Sequence, residues 1–472
     1  MSQPISKRHI LSSLASLGLS ALWPVEADAR AKKKAKTKAK SKKKLVKKAP
    51  VITGPLKSDF VAAEGIDFKL HNQSYHYVGA NIWYGAYLGA DSDYGNRARL
   101  IKELDDLKDL GVVNLRVLAS SELSPLKNSL DPAFRTKTSY NEALLEGLDF
   151  LMVELARRDM RAVLYLTNFW EWSGGMSTYN YWTNGGHYID MGDPAHPWPE
   201  FADESSKFYK NQPAIALYHD YIRKLVGRVN VISGKPYKDD VALMAWQLCN
   251  EPRAGGETSG VHKNAEAYLD WIASSCALIR SIDPNHMISL GHEGLMGIEG
   301  DEALLIKAHE HIDYLTAHIW PLNWSWVDGK NLADTFEAGA QKVKTYIAQH
   351  IAIAQKLNKP LVFEEFGFPR DDIAYEPGSP TLWRDKFYGF IYASVEEAIR
   401  HHTPVAGSNF WAWGGTGRAL HPDYHMLRGE TSFVGDPPHE PQGWNSVFNI
   451  DTSTQAMIRK HAANIAQLSV SN

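Results

Sequence analysis

The fold the sequence predicts is an α/β one, a (β/α)8 TIM barrel with long loops on its catalytic face, and three observations carry that expectation. Short apolar runs alternate with amphipathic helical stretches from about residue 75 onward, eight such runs can be counted, and most of them end on polar or charged residues. Alternation of this kind builds a parallel sheet with helices outside it, and eight units close the sheet on itself. A chain of 472 residues with 44% hydrophobic content has enough apolar mass for one such core.

Taken in order, the first strand falls at 77–81 and ends in Asn81. A helix with Leu100, Leu104 and Leu107 at helical spacing follows over 98–110, and Gly111 stands where a left-handed residue closes it. The second strand, 112–118, contains Asn114-Leu115-Arg116, and the next helix repeats Leu144, Leu148, Leu151 and Leu155 over 143–157. The third strand, 161–168, ends in Asn168 and opens a long loop, 169–212, that begins Phe169-Trp170. The fourth, 241–248, runs into Cys249-Asn250-Glu251-Pro252-Arg253, and the fifth, 286–290, leads to Gly291-His292-Glu293-Gly294. The sixth, 313–318, is followed by Ile319-Trp320, the seventh, 360–365, ends Glu364-Glu365 before Phe366-Gly367, and the eighth, 405–411, carries Asn409-Phe410-Trp411. A second long loop, 414–449, precedes the last helix near 454–468. Loops that follow barrel strands open on the face where sites are built. The stretch 421–445, rich in His, Pro, Asp and Gly, reads as a folded Pro-rich loop instead of a metal site, because no tight ligand spacing occurs in it.

The beginning of the chain reads differently. Lys7-Arg8-His9, an apolar run over 10–23 and Ala27-Asp28-Ala29 match a signal peptide over residues 1–29, which implies a secreted protein, extracellular or periplasmic. No run reaches the length of a transmembrane helix. Residues 30–54 read as a Lys-rich disordered linker, since like charges repel, and 55–472 as one catalytic domain, expected to be a monomer. Eleven lysines over 31–48 with Lys7, Arg8 and Arg30, set against Glu26 and Asp28, leave residues 1–50 at +12; with −3 for the whole chain, residues 51–472 carry −15. The basic run suits contact with acidic envelope polymers. The acidic domain argues against nucleic acid and polyanionic substrates and leaves neutral polymers open. Aromatic residues make up 11% of the chain, enough for a core and for platforms on which sugar rings stack. Cys249 and Cys276 are read as buried free thiols.

Two carboxylates at strand ends are the central chemical observation. Glu251 follows the fourth strand and Glu365 ends the seventh. Cleavage of a glycosidic bond needs one carboxylic acid to protonate the leaving oxygen and one carboxylate at the anomeric carbon, about 5–5.5 Å apart when configuration is retained. An Asn-Glu-Pro triplet alone also begins ordinary helices. The second strand-end glutamate is what raises it to a site.

With these residues in view, the chain resembles glycoside hydrolase family 5, in particular its β-mannanase subfamily, over about residues 60–470. The resemblance is carried by Val78-Gly79-Ala80-Asn81, Asn114-Leu115-Arg116, Asn168-Phe169-Trp170, Asn250-Glu251-Pro252-Arg253, Gly291-His292-Glu293-Gly294, His318-Ile319-Trp320, Glu365-Phe366-Gly367, Asn409-Phe410-Trp411 and the late segment from Gly435 to Gly443. It implies a retaining endo-β-1,4-mannanase acting on mannan, glucomannan or galactomannan by double displacement, with Glu251 as acid/base and Glu365 as nucleophile and with neither metal nor organic cofactor. It further implies that Arg116 hydrogen-bonds the nucleophile, Asn250 holds the 2-hydroxyl of the sugar being cleaved, His318 lines the same subsite and Trp411 floors it. Asn168, Trp170 and Arg253 are expected to contact neighbouring sugars. Trp320 stands where the family usually has Tyr, and Phe169 where many relatives have Asn. Alternation along a strand aims only one of two adjacent side chains at the barrel mouth, so Glu364 is expected to face the surrounding helices. The same carboxylates would serve an endo-β-1,4-glucanase. A non-catalytic carbohydrate-binding barrel would lack one of them, and a Schiff-base aldolase would need a Lys ending an inner strand.

Overall fold

A computed structural model describes residues 54–471. The leader expected over 1–29 and all but the last residue of the linker expected over 30–54 lie outside the described residues. Eight parallel strands form the barrel: β1 (Tyr77–Asn81), β2 (Asn114–Leu118), β3 (Arg161–Tyr165), β4 (Leu243–Gln247), β5 (Met287–Ser289), β6 (Leu315–Ile319), β7 (Leu361–Phe366) and β8 (Val405–Phe410). Each neighbours the next, β8 pairs with β1, and a bridge between Ser289 and Tyr314 closes the ring at β5 and β6. Six fall within the spans the sequence predicts, and β6 and β7 each run one residue past theirs, to Ile319 and Phe366.

Besides short helices over Gly85–Gly89, Gly175–Thr183 and Glu200–Ser206, a main helix follows each strand: α1 (Arg97–Asp109), α2 (Glu142–Arg157), α3 (Gln212–Val226), α4 (Thr258–Ile282), α5 (Glu302–Ala308), α6 (Leu332–Leu357), α7 (Leu382–Arg400) and α8 (Thr452–Ser471). Their apolar faces bury Leu100, Leu104 and Leu107 of α1 and Leu144, Leu148, Leu151 and Leu155 of α2 completely, roughly 2 kcal/mol of burial for each leucine. Asn96, Asn141, Asn211 and Asp301 cap α1, α2, α3 and α5 with side-chain oxygens that accept first-turn N–H groups. Gly111 has φ 83°, as the end of α1 requires. No helix among the described residues is long and apolar enough to cross a membrane. Cys249 and Cys276 are buried and unbonded to each other.

The barrel interior is layered. Its lower end is apolar, with Tyr77, Val163, Met244, Met287, Tyr314, Val362 and Ala406 in one cluster. A three-stranded antiparallel sheet, built from Ala62–Glu64, Asp67–Leu70 and Gln73–Ser74, plugs that end, and its Phe68 packs edge-on to Tyr314 at 5.1 Å. The opposite end is polar. Asn81, Arg116, Gln247, His318, Glu364 and Glu365 are all buried there, at the C-terminal ends of the strands where barrel sites are built.

Strand β7 departs from regular alternation. Phe363 pairs with Ala317 of β6, but the next partner of β6, His318, is matched by Glu365, so Glu364 is left without a partner. This is a bulge, which lets two successive residues face one side. The expectation for Glu364 is therefore wrong: both glutamates point into the barrel, where Glu364 receives Gln247 Nε2 at 3.0 and 2.9 Å.

Candidate active site

Arg116, at the centre of β2, organises the polar end. Its Nη1 donates to Glu365 and, at 3.2 Å, to Asn81 Oδ1; Nη2 donates to Asn250 Oδ1 at 2.7 Å and Nε to Gln247 Oε1 at 2.8 Å. The guanidinium lies 4.7 Å over the Tyr165 ring. One fully buried cation thus fixes residues from β1, β4, the turn after β4 and β7. Charge-assisted bonds of this kind are the strong ones.

Glu251 is held in a different way. It has φ 49°, a left-handed conformation that costs a residue with a side chain about 1 kcal/mol or more, and its N–H donates to Gly291 O at 2.9 Å. Gly291 allows that approach, because a Cβ there would lie 1.9 Å from Cys249 O. The Glu251 carboxylate accepts Trp170 Nε1 at 2.5 Å on one oxygen and faces His318 Nδ1 at 2.5 Å on the other. His318 Nδ1 also lies 3.3 Å from Glu365 Oε2. One ligand atom each of Glu251, His318 and Glu365 lies within 4.8 Å of the others. A cation at that point would have to displace the proton on Nδ1 and compete with Arg116 for Glu365, so the arrangement favours sharing protons.

The charges follow from these contacts. Burial opposes ionisation of Glu251, but His318, Arg253 and the Trp170 indole outweigh it and bring that carboxyl down to about 2. Burial raises Glu365 to about 7; His318 and Arg116 oppose the rise, and the nearby charges of Glu251 and Glu364 assist it. Burial works against charge on His318, yet Glu365, Glu251 and Glu364 lift it to about 10. The two catalytic-face carboxylates behave as one coupled pair that holds a single extra proton between its low and its upper step.

Above the pair opens a cavity of about 500 Å³. It is walled by Trp170, Trp172, Trp198, Trp320, Trp324 and Trp411, with Glu251 and Glu365 at its base. Trp320 and Trp411 meet edge to face at 6.2 Å. Gly367 is small because a Cβ would strike Trp320 at 2.7 Å. Arg253 donates to Glu293 at 2.5 Å and lies 5.4 Å over Trp170 and 5.5 Å over Trp198. Burial raises Glu293 to about 7 against the pull of Arg253. The late loop is tied by Asp436, whose carboxylate accepts the N–H groups of Gly443 at 2.7 Å and Asn445 at 2.6 Å. It brings Pro437, His439 and Glu440 to the cavity wall.

Residues 58–470 match the family described as GH family 5 beta-mannosidase-like. The chain belongs to glycoside hydrolase family 5. A crystal structure of a family 5 mannosidase from Rhizomucor miehei shares 32% identity, with a TM-score of 0.80, over 89% of this chain and 100% of that one. Mannan endo-1,4-beta-mannosidase 1 of Oryza sativa subsp. japonica is 29% identical over 390 residues, covering 79% of this chain and 82% of the relative. Mannan endo-1,4-beta-mannosidase 1 of Arabidopsis thaliana is 26% identical over 374 residues, covering 75% and 82%.

In this family 5 hydrolase, Glu251, Glu365, Asn250, Arg253, Trp170, Trp320 and Trp411 line the cavity. Arg116, Asn168 and His318 do not; they lie beneath it, fully buried. Asn168, expected to contact sugar, instead uses its Oδ1 on Asn250 Nδ2 at 3.0 Å and on Trp170 N at 3.1 Å, and its Nδ2 on Ser173 at 3.2 Å. His318 is consumed by the glutamates around it. Sequence reasoning missed Met191, Trp198, Met296, Glu299 and the Asn323-Trp324-Ser325 turn of the cavity wall. These belong to loops, where no periodicity marks orientation. Glu293, His439 and Glu440 stood inside motifs already noted for their resemblance, and that was the available signal.

Proposed function

We propose that this glycoside hydrolase is a retaining endo-β-1,4-mannanase acting on mannan, glucomannan or galactomannan. The observation that carries the retaining step is the close approach of Glu251 and Glu365, one oxygen of each within 4.8 Å. Inverting enzymes separate their carboxylates by about 6.5–9.5 Å to admit a water between them. In this reading Glu365, held by Arg116, attacks the anomeric carbon as Glu251 gives its proton to the leaving oxygen. Glu251 then takes a proton from the water that releases the sugar from Glu365. The proton must sit on Glu251 when the bond breaks, and His318, 2.5 Å from its carboxylate, is the group that returns it there. Asn250, at the cavity base, meets the 2-hydroxyl, and Trp411 with Trp320 supports the ring being cleaved. Mannan as substrate is supported by the names of the rice and Arabidopsis relatives.

A second reading, an exo-acting β-mannosidase, is favoured by the Rhizomucor miehei mannosidase and by the family description. Incubation with unbranched β-1,4-mannan separates the two. Mixed oligosaccharides as first products support endo action, and mannose alone from the outset supports exo action. Cellulose cleaved faster than mannan overturns both. For the ends of the chain, a leader over 1–29 and a Lys-rich tether over 30–54 support secretion; a mature protein that retains Met1 in Edman sequencing overturns that.

A further inference from the structure

Resting on the reading above, we propose that Glu364 is a positioning residue that anchors the Nε2 side of His318 and thereby makes Nδ1 the one ring atom that exchanges a proton with Glu251. Glu364 is buried and does not line the cavity, so it touches no sugar. The bulge in β7 nevertheless turns it inward, directly beneath the pair. Its Oε1 lies 3.3 Å from His318 Nε2, and its Oε2 lies 3.7 Å from Arg116 Nε. Gln247 Nε2 donates to both of its oxygens, and Asn81 Nδ2 donates to its backbone carbonyl at 2.9 Å. A carboxylate with three polar side chains around it that faces neither solvent nor substrate acts by fixing those neighbours.

The physical consequence lies in the imidazole tautomer. A neutral ring with its lone pair on Nε2 would point that lone pair at the Glu364 carboxylate, so the Nε2 proton is retained. Only Nδ1 is then left to exchange. A proton in the 2.5 Å contact between Nδ1 and Glu251 Oε1 lies either on nitrogen, giving an ion pair, or on oxygen, giving the neutral acid. The two forms contain the same atoms and charge. Glu251 can pass its proton to the leaving oxygen in the first half of the reaction and regain one from water in the second, while His318 keeps its Nε2–H throughout.

The charges around the group agree. Burial opposes ionisation of Glu364, but Arg116, His318 and Gln247 outweigh it and hold its carboxyl below the ordinary range. Tyr77, Tyr165 and Tyr314, which also feel Glu364, are kept neutral by burial, and so is His309. On the far side of Glu251 the charge of Arg253 is engaged by Glu293. Glu364 therefore contributes the negative charge that keeps one proton within Glu251, His318 and Glu365. Without it that proton leaves at lower pH.

Imidazole ¹⁵N spectra of the whole enzyme test this directly, with His318 assigned by its loss in His318→Gln. The expected result is a protonated Nε2 at every pH at which the enzyme turns over; a lone pair on Nε2 in that range overturns the proposal. In Glu364→Gln the alkaline limb of kcat/KM on a β-mannoside should move down by about one pH unit, with KM little changed. An unmoved limb, or a uniform loss at all pH values, overturns it. If circular dichroism shows that Glu364→Gln does not fold, the wild-type spectra decide alone. A wild-type enzyme inactive on every β-mannoside defeats the proposed function instead, and the spectra then judge His318 and Glu364 over the pH range in which the protein is folded.

Discussion

His318 and the trio His292, His309 and His350 lie in neighbouring parts of one barrel wall, equally buried, and reach opposite charge states. His318 faces Glu251, Glu364 and Glu365 and is pushed up to about 10. The trio has mainly backbone partners. Gly294 N–H donates to His292 Nδ1 at 2.9 Å, His309 Nδ1 donates to Leu305 O at 2.8 Å, and His350 Nδ1 donates to Tyr346 O at 2.7 Å. Burial pushes His309 and His350 down to about 4, and His292 well below its ordinary range. Depth alone therefore does not decide protonation; the sign of the neighbouring charge does. At the proposed reaction centre three carboxylates have been placed against one buried ring.

The largest test of that contrast removes a carboxylate from the charged region. Glu365→Ala should lower turnover on mannan by roughly 10⁵-fold while the circular dichroism spectrum stays native. Added azide should restore cleavage with an α-glycosyl azide as product. Substantial activity without azide would mean that the charged region is not where bonds break. Asn250→Ala comes next. It removes the proposed 2-hydroxyl contact, which strengthens as the oxocarbenium-like state forms, so kcat should fall roughly 10²-fold with a smaller change in KM. A loss confined to KM would assign Asn250 to ground-state binding only.

The alkaline limb of the wild-type pH profile is a milder measure of the same region. The upper step of the Glu251 and Glu365 pair lies at about 7. Below it the pair keeps its proton and the acid is available; above it kcat/KM should fall about tenfold per pH unit. A limb above pH 9 would show that the limiting proton is lost from His318, which its three carboxylate neighbours lift to about 10, and not from the pair.

How much of this was legible beforehand depends on what each feature rests on. The eight strands were legible because a strand buried on both faces reads as an apolar run, and Glu251 and Glu365 because one follows such a run and the other lies at the end of one. The direction of Glu364 was not, since strict alternation assumes unbroken register and the bulge after Phe363 is set by pairing with β6. Arg116, Asn168 and His318 were found, but their depth was not. A motif tells that a residue belongs to a site, not whether it faces the ligand or the residue that does. Trp198 and Trp324 were missed because the loops that carry them have no periodic pattern against which a side chain could be aimed.

The neutral histidines give the smallest and last test. A histidine held at about 4 in the folded protein and at about 6.5 when unfolded binds its proton more tightly in the unfolded chain. Its contribution to stability is therefore intact above pH 6.5 and is lost progressively as pH falls towards 4. For His309, fully buried, the loss between pH 7 and pH 4.5 amounts to about 2 kcal/mol. Urea unfolding of His309→Gln should show lower stability at pH 7, from poorer packing and an imperfect bond to Leu305, yet a shallower decline between pH 7 and pH 4.5 than the wild-type protein. The same comparison made on His318→Gln should not flatten that decline, because His318 is already charged in the folded state and gains nothing from acid. Parallel curves for wild type and His309→Gln would mean that His309 is protonated in the fold, and the contrast between the two regions would fail at its neutral side.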